Sequence, residues 1–193
     1  MQVIQGRTGW IEVICGPMFS GKSEELIRRL RRVEIARQRQ QTFKPAVDNR
    51  FHATDIVSHS QQRMPGEVVA SSGDILERVD DKTEVVGVDE VQFFDAGIVA
   101  VCNRLANLGK RVIVAGLDQD YRGRPFGPMP EMMAAAEYIT KQLAICMVCG
   151  NPANHTQRLT DSRDQIVVGA SGTYEARCRR CFEAPPEGAG DQA

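Results

Sequence analysis

The sequence has little net charge, few histidines and no long apolar run. Lys and Arg number 24 against 25 Asp and Glu, leaving a net charge of −1. That balance gives no global field to draw in a nucleic-acid backbone, so polyanion binding would need a local patch. No apolar run approaches the length that spans a bilayer, and the opening "MQVIQGRTGW" lacks the basic-then-apolar layout of a secretion signal. The expectation is a cytoplasmic chain with no membrane partner. The three histidines, His52, His59 and His155, fall in loop-like stretches with no paired acid and no metal-ligand spacing. They are expected at the surface and carry no assigned role. There is no internal repeat.

Cysteine is scarce but patterned. Of six, four form two Cys-x-x-Cys pairs, Cys146/Cys149 and Cys178/Cys181, separated by 28 residues. In a reducing compartment such pairs read as metal ligands, and four thiolates suit tetrahedral Zn²⁺. Cys15 and Cys102 lie in strand-like and helix-like patterns and read as core residues.

Three apolar runs without alternation, "WIEVIC" (10–15), "EVVGVDE" (84–90) and "RVIVAGLD" (111–118), have the character of strands covered on both faces. "QQTFKPA" (40–46) is a weaker fourth. Between them, Leu26, Ile27, Leu30 and Val33 mark one helix face, with Arg28, Arg29, Arg31 and Arg32 on the others, solvated or in a subunit contact. A second helix is expected from an Asp95 N-cap to Leu108, stopped by Gly109, and a third from Pro130 through "EMMAAAEYI". Residues 45–66 read as a long polar loop. The alternation predicts an α/β domain with a parallel sheet over 1–141, a small zinc module over 142–183, and a disordered tail over 184–193.

The chemistry is carried by "GPMFSGKS", Gly16 to Ser23, which fits G-x-x-x-x-G-K-[ST] between an apolar strand and an amphipathic helix. In such a P-loop, backbone N–H groups and the helix dipole hold phosphate oxygens, Lys22 reaches the outer phosphates and the Ser23 hydroxyl ligates Mg²⁺. "VVGVDE" supplies the second half: Asp89 at a strand end to hold magnesium, and Glu90 beside it to accept a proton from an attacking oxygen. That oxygen could belong to water or to a substrate hydroxyl, giving an ATPase or a kinase. Phe93 and Phe94 follow the same strand end, and the residues alone favour core positions for both. The loop between the cysteine pairs, with one aromatic in Tyr174, reads as a lid over a planar ligand.

Together, "GPMFSGKS", "DEVQFF", "LDQDYRGRPFG" and the cysteine pairs around "HTQRL…VVGASGTY" closely resemble the type II thymidine kinases, over roughly residues 9 to 183. The resemblance implies a recombinase-ATPase-like α/β domain, a zinc-pinned lasso over the nucleoside, and a homotetramer. It implies that Gly16, Pro17, Met18, Phe19, Ser20, Gly21, Lys22 and Ser23 bind ATP. Asp48, Asn49, Asp89, Val91 and Gln92 join that site, Glu90 is the general base, and Arg50 supports the transferring phosphoryl with Lys22. Phe93, Leu117 and Tyr121 surround thymine; Thr156, Gln165, Ile166, Val167, Val168, Gly169 and Tyr174 belong to the lasso. Phe93 thereby moves from core to pocket. Val91 stands where many members have a small residue, and Tyr121 where the human enzyme has phenylalanine. The resemblance further implies feedback inhibition by thymidine triphosphate, and no nucleic-acid partner. Two rival readings share the phosphate loop: a motor ATPase whose zinc module grips nucleic acid, and a nucleotide-sensing scaffold without turnover.

Overall fold

The structure is a computed structural model that describes residues 8–46, 55–57, 63–162, 164 and 172–185. In chain order the elements are β1 (Trp10–Cys15), α1 (Lys22–Ile35), β2 (Gln40–Pro45), β3 (Asp55–Val57), β4 (Arg63–Pro65), β5 (Glu67–Val69), α2 (Ser72–Arg78), β6 (Val85–Val88), a 3₁₀ turn (Val91–Phe93), α3 (Gly97–Asn107), β7 (Arg111–Gly116), α4 (Met129–Ala135), β8 (Tyr138–Lys141), β9 (Ala144–Ile145), β10 (Pro152–Ala153), β11 (His155–Arg158) and β12 (Tyr174–Arg177).

Six strands form one sheet in the order β5-β2-β6-β7-β1-β8, every pair parallel. The three strong apolar runs become β6, β7 and β1, inside the sheet, where helices cover both faces. On one face Leu26, Ile27, Leu30 and Val33 of α1 pack with Ile14, Val85, Ile113 and Ala115. On the other, Ile98, Val101, Cys102 and Leu105 of α3 meet Val13, Val86, Val112 and Val114. Each fully buried Leu or Ile contributes about 1.5–3 kcal/mol by its removal from water. Cys15 and Cys102 are buried in this core; burial, with the Asp118 charge next, pushes the Cys15 thiol up to about 11, and burial pushes Cys102 up to about 12. Both are poor nucleophiles.

Four expectations change. Asp95 does not cap α3, whose N-cap is Ala96. Its carboxylate accepts instead from the Ser72 N–H and hydroxyl, at 2.9 and 2.6 Å, and from Gly97 N–H at 2.9 Å, tying α2 to α3. The helix near Pro130 ends at Ala135, and Tyr138–Lys141 is a strand on β1, locked by Glu137, whose backbone N–H bonds Ile11 O and whose carboxylate accepts the Ile11 N–H at 2.6 Å. The stretch read as a loop contains the antiparallel pair β3–β4. Arg29 is not solvated. It bonds Glu12 at 2.7 Å, Glu25 at 2.8 Å and Thr140 at 2.9 Å, while Arg111 bonds Glu12 from the other side at 2.6 Å. Burial alone would raise the Glu12 carboxyl, but Arg111, Trp10 and Arg29 outweigh it and hold it below its ordinary value. The remaining strands form two small antiparallel pairs, β9–β10 and β11–β12, beside the cysteines.

Candidate active site

The site lies at the carboxyl ends of β1, β6 and β7, where a parallel sheet leaves a crevice between diverging loops. After Cys15 the chain turns through Gly16 at φ 142°, where a Cβ would sit 2.2 Å from the Gln142 carbonyl oxygen, so only glycine fits. Phe19 and Gly21 also take positive φ, 65° and 82°. This succession of left-handed residues curls the backbone into an anion-binding concavity at the head of α1. No side chain caps α1, whose N-cap is Gly21 itself, so the first-turn N–H groups are left to whatever the loop holds. Lys22 Nζ and Ser20 Oγ both donate to the Pro17 carbonyl, at 2.7 and 2.8 Å, fixing the loop's shape.

From β6, Asp89 is buried and aims Oδ1 at the Ser23 hydroxyl, 3.5 Å away, while also accepting the Glu90 N–H at 3.0 Å. A hydroxyl and a carboxylate so paired at a phosphate loop fit a magnesium site. Glu90 holds φ 52° and ψ 42°, a left-handed backbone that costs a glutamate about 1–2 kcal/mol. The kink throws its side chain out of the strand direction, and Gln92 Nε2 donates to its Oε2. The Val91 side chain is fully buried in the core, so any contact it makes with a nucleotide is through backbone.

A second cluster adjoins the phosphate loop. Met18, Leu117, Tyr121, Phe126 and Tyr174 pack together, with Phe19 and Phe93 against them, and Phe93 meets Phe126 edge-on at 5.7 Å. Phe94, by contrast, is in the sheet core. Phe93, Leu117, Tyr121 and Tyr174 are thus brought to one place, while Thr156 sits at its margin, accepting the Met18 N–H on Oγ1 at 3.0 Å. Asp48, Asn49, Arg50 and the stretch Gln165, Ile166, Val167, Val168 and Gly169 lie outside the described residues, as do His52 and His59.

Several residues escaped the sequence reading. Met18, expected on the nucleotide, turns its side chain into the aromatic cluster. Phe126 was quoted within a motif and assigned nothing. Arg158 is buried with its guanidinium 3.5 Å over the Tyr121 ring; it donates to Tyr174 Oη at 2.8 Å, to Ser162 O at 3.0 Å and to Asp164 O. Its signal would have been a cation beside a run of loop carbonyls. His155, expected exposed, is buried in β11 and stacks on Phe182 at 4.3 Å. Burial, then the Arg179 and Lys141 charges, lower its pKa, against the opposing charge of Asp118. At the end of β7, Asp118 is buried and pairs with Lys141 at 2.6 Å.

Cys146, Cys149, Cys178 and Cys181 converge with their sulfurs all within 4.8 Å of one another, Cys149 and Cys178 at 3.6 Å. Tetrahedral zinc with Zn–S near 2.3 Å needs sulfurs about 3.8 Å apart, so the set fits. Burial raises the Cys146 thiol, but the N–H groups of Cys178, Val148 and Cys149 overcome it and bring it down to about 6.

The thymidine kinase family model matches residues 9–182. A thymidine kinase from Rhodothermus sp. (strain ITI 518) is 61% identical over 180 residues, spanning 93% of this chain and 84% of that protein. With a glycine-rich turn, an acid pair and an aromatic cluster gathered at the carboxyl ends of β1, β6 and β7, agreement over that length leaves one assignment: this chain belongs to the thymidine kinase family.

Proposed function

We propose that this chain transfers the γ-phosphoryl group of MgATP to the 5′-hydroxyl of thymidine, and also accepts deoxyuridine. The observation that carries the reading is the double use of Met18. Its N–H bonds Thr156 while its side chain packs in the aromatic cluster, so the glycine loop and that cluster of flat side chains share one residue.

ATP lies with its triphosphate in the curl from Gly16 to Ser23, where the amides and Lys22 counter its charge. Mg²⁺, when bound, offsets charge on the bridging oxygens; Ser23 and Asp89 are the residues that would hold it. Thymine sits among Phe93, Leu117, Tyr121 and Tyr174, with Thr156 at its edge and Gln165 to Gly169 closing over it. Glu90 takes the 5′-hydroxyl proton as the oxygen attacks phosphorus in line, and Arg50 supports the group in flight. Phosphoryl transfer asks little covalent chemistry of the protein, so positioning and charge set the rate. Cys146, Cys149, Cys178 and Cys181 would hold Zn²⁺, which would tie together the two ends of the loop within residues 142–183, beside the domain of residues 1–141, and a closed site keeps water from the γ-phosphate. The backbone-rich recognition of the base is why deoxyuridine is included. Thymidine triphosphate inhibits by filling the nucleoside pocket with its phosphates on the loop. The working form is a cytoplasmic homotetramer, and the near-neutral charge speaks against a nucleic-acid partner.

The test is ATP turnover with thymidine, with DNA and with neither, alongside Glu90→Gln. Thymidine-dependent ADP release with thymidine monophosphate as product is expected, and Glu90→Gln should lower turnover about a hundredfold or more while ATP binding holds. DNA-dependent turnover would favour a motor ATPase; an unchanged rate in Glu90→Gln would remove it as the base.

A further inference from the structure

Resting on the reading of Glu90 as the base, we propose that Gln92 is a positioning residue that holds the Glu90 carboxylate in its working orientation and couples it to the nucleoside pocket. Gln92 is 3% exposed, and both ends of its amide are engaged. The Leu117 N–H donates to Oε1 at 2.9 Å, which only a carbonyl oxygen can accept. That bond fixes which way round the amide lies, so the NH₂ end must face Glu90, where Nε2 donates to Oε2. A carboxylate on a short left-handed kink has no regular secondary structure to aim it. A charge-assisted bond from a buried amide supplies the aim.

The surroundings leave Gln92 no freedom. A Cβ on Gly116 would lie 2.7 Å from Gln92 Oε1, and one on Gly127 would lie 2.4 Å from its carbonyl oxygen. Backbone from two other segments is therefore packed onto this residue from both sides. Leu117 in turn belongs to the aromatic cluster. The chain of contacts runs from pocket wall to Leu117 N–H, through one amide, to the base. A shift of Leu117 as the nucleoside seats is transmitted to the carboxylate that must meet its 5′-hydroxyl. The side-chain amide is engaged at both ends by these bonds, so any contact of Gln92 with a nucleotide is through backbone.

The test compares Gln92→Glu and Gln92→Met with the native chain, alone and on a Glu90→Gln background. Gln92→Glu keeps an acceptor for Leu117 but faces Glu90 with an oxygen; Gln92→Met keeps the volume and loses both bonds. Each should lower kcat about tenfold or more, the scale of a misplaced catalytic group, with both KM values within about twofold; Gln92→Glu places a second buried carboxylate beside Glu90 and should melt lower, so kcat is read well below each variant's melting midpoint. On the Glu90→Gln background either change should leave kcat within about twofold of that single variant. Losses carried in KM, or losses that multiply on that background, would overturn the proposal. Native kcat in the Gln92 variants with a strong Glu90→Gln effect would sink Gln92 alone, whereas native kcat in Glu90→Gln would sink the base reading beneath it.

Discussion

The six-stranded sheet and the cysteine-bearing end solve the same problem by opposite means. The sheet is held by apolar burial on two faces, with β6 wholly inside and β1 and β7 inside beyond their first residues. The other end has two strand pairs of two and four residues and exposes Ile145, Met147 and Val148, so it lacks a core large enough to hold itself. There, four convergent sulfurs and ring contacts stand in for the core. The lesson is that the sheet carries its own apolar core, whereas the cysteine-bearing end has only a small one of Ala144, Cys146, Ala153, Ala176 and Cys178 and stands to gain most from ligation.

The sharpest way to break this contrast is Cys149→Ser. Structural zinc is worth on the order of 10 kcal/mol of apparent folding free energy, so its loss should disorder one end and spare the other. Thymidine affinity should fall by about two orders of magnitude or more while ATP affinity changes far less, read by calorimetry beside zinc content. Equal losses for both ligands would mean the two ends fold as one.

A smaller effect belongs to the sheet. Glu12→Gln leaves Arg29 and Arg111 without their shared carboxylate and should cost about 2–3 kcal/mol, discounted for their partial exposure. Because the folded-state carboxyl is held below its ordinary value, its contribution is full above about pH 4.3 and fades as the pH falls through the lower folded value. Urea midpoints of native and variant chains should therefore converge under acid, with zinc content equal throughout; a gap that persists at low pH would assign the loss to packing.

The smallest change probes the seam. Thr156→Val leaves the buried Met18 N–H without its acceptor, costing about 1–2 kcal/mol. It should raise KM for thymidine and ATP together, and Thr156→Ser should restore both. A rise for thymidine alone would uncouple the loop from the pocket.

The sequence was most readable where one physical term dominates. Unbroken apolar runs became the central strands, and Leu26, Ile27, Leu30 and Val33 faced inward as spaced. Edge strand β8 was hidden because Tyr138 and Ile139 are exposed and follow a Met- and Ala-rich helix. α2 carried a capping box from Ser71 to Asp74 that was not read, since aspartate stands where glutamate or glutamine is usual. Arg29 and His155 were misplaced because a charge or ring is buried only when distant partners meet it: Glu12 and Thr140 for one, Phe182 for the other. The convergence of the four thiols was legible because the Cys-x-x-Cys spacing sets each pair on one turn. The bend at Glu90 and the turn of Met18 were not, because both answer to neighbours contributed by other strands.

Met18 has one further consequence. A wall with a tenant on either side cannot be moved for one without crowding the other. Reshaping that side chain to admit a bulkier base would also disturb the amide row on its far side, so nucleoside range and triphosphate grip would drift in step. On the proposed reading, broadening what this enzyme accepts is better begun at Phe126 or Tyr121, which belong to the aromatic cluster and lie outside Gly16 to Ser23.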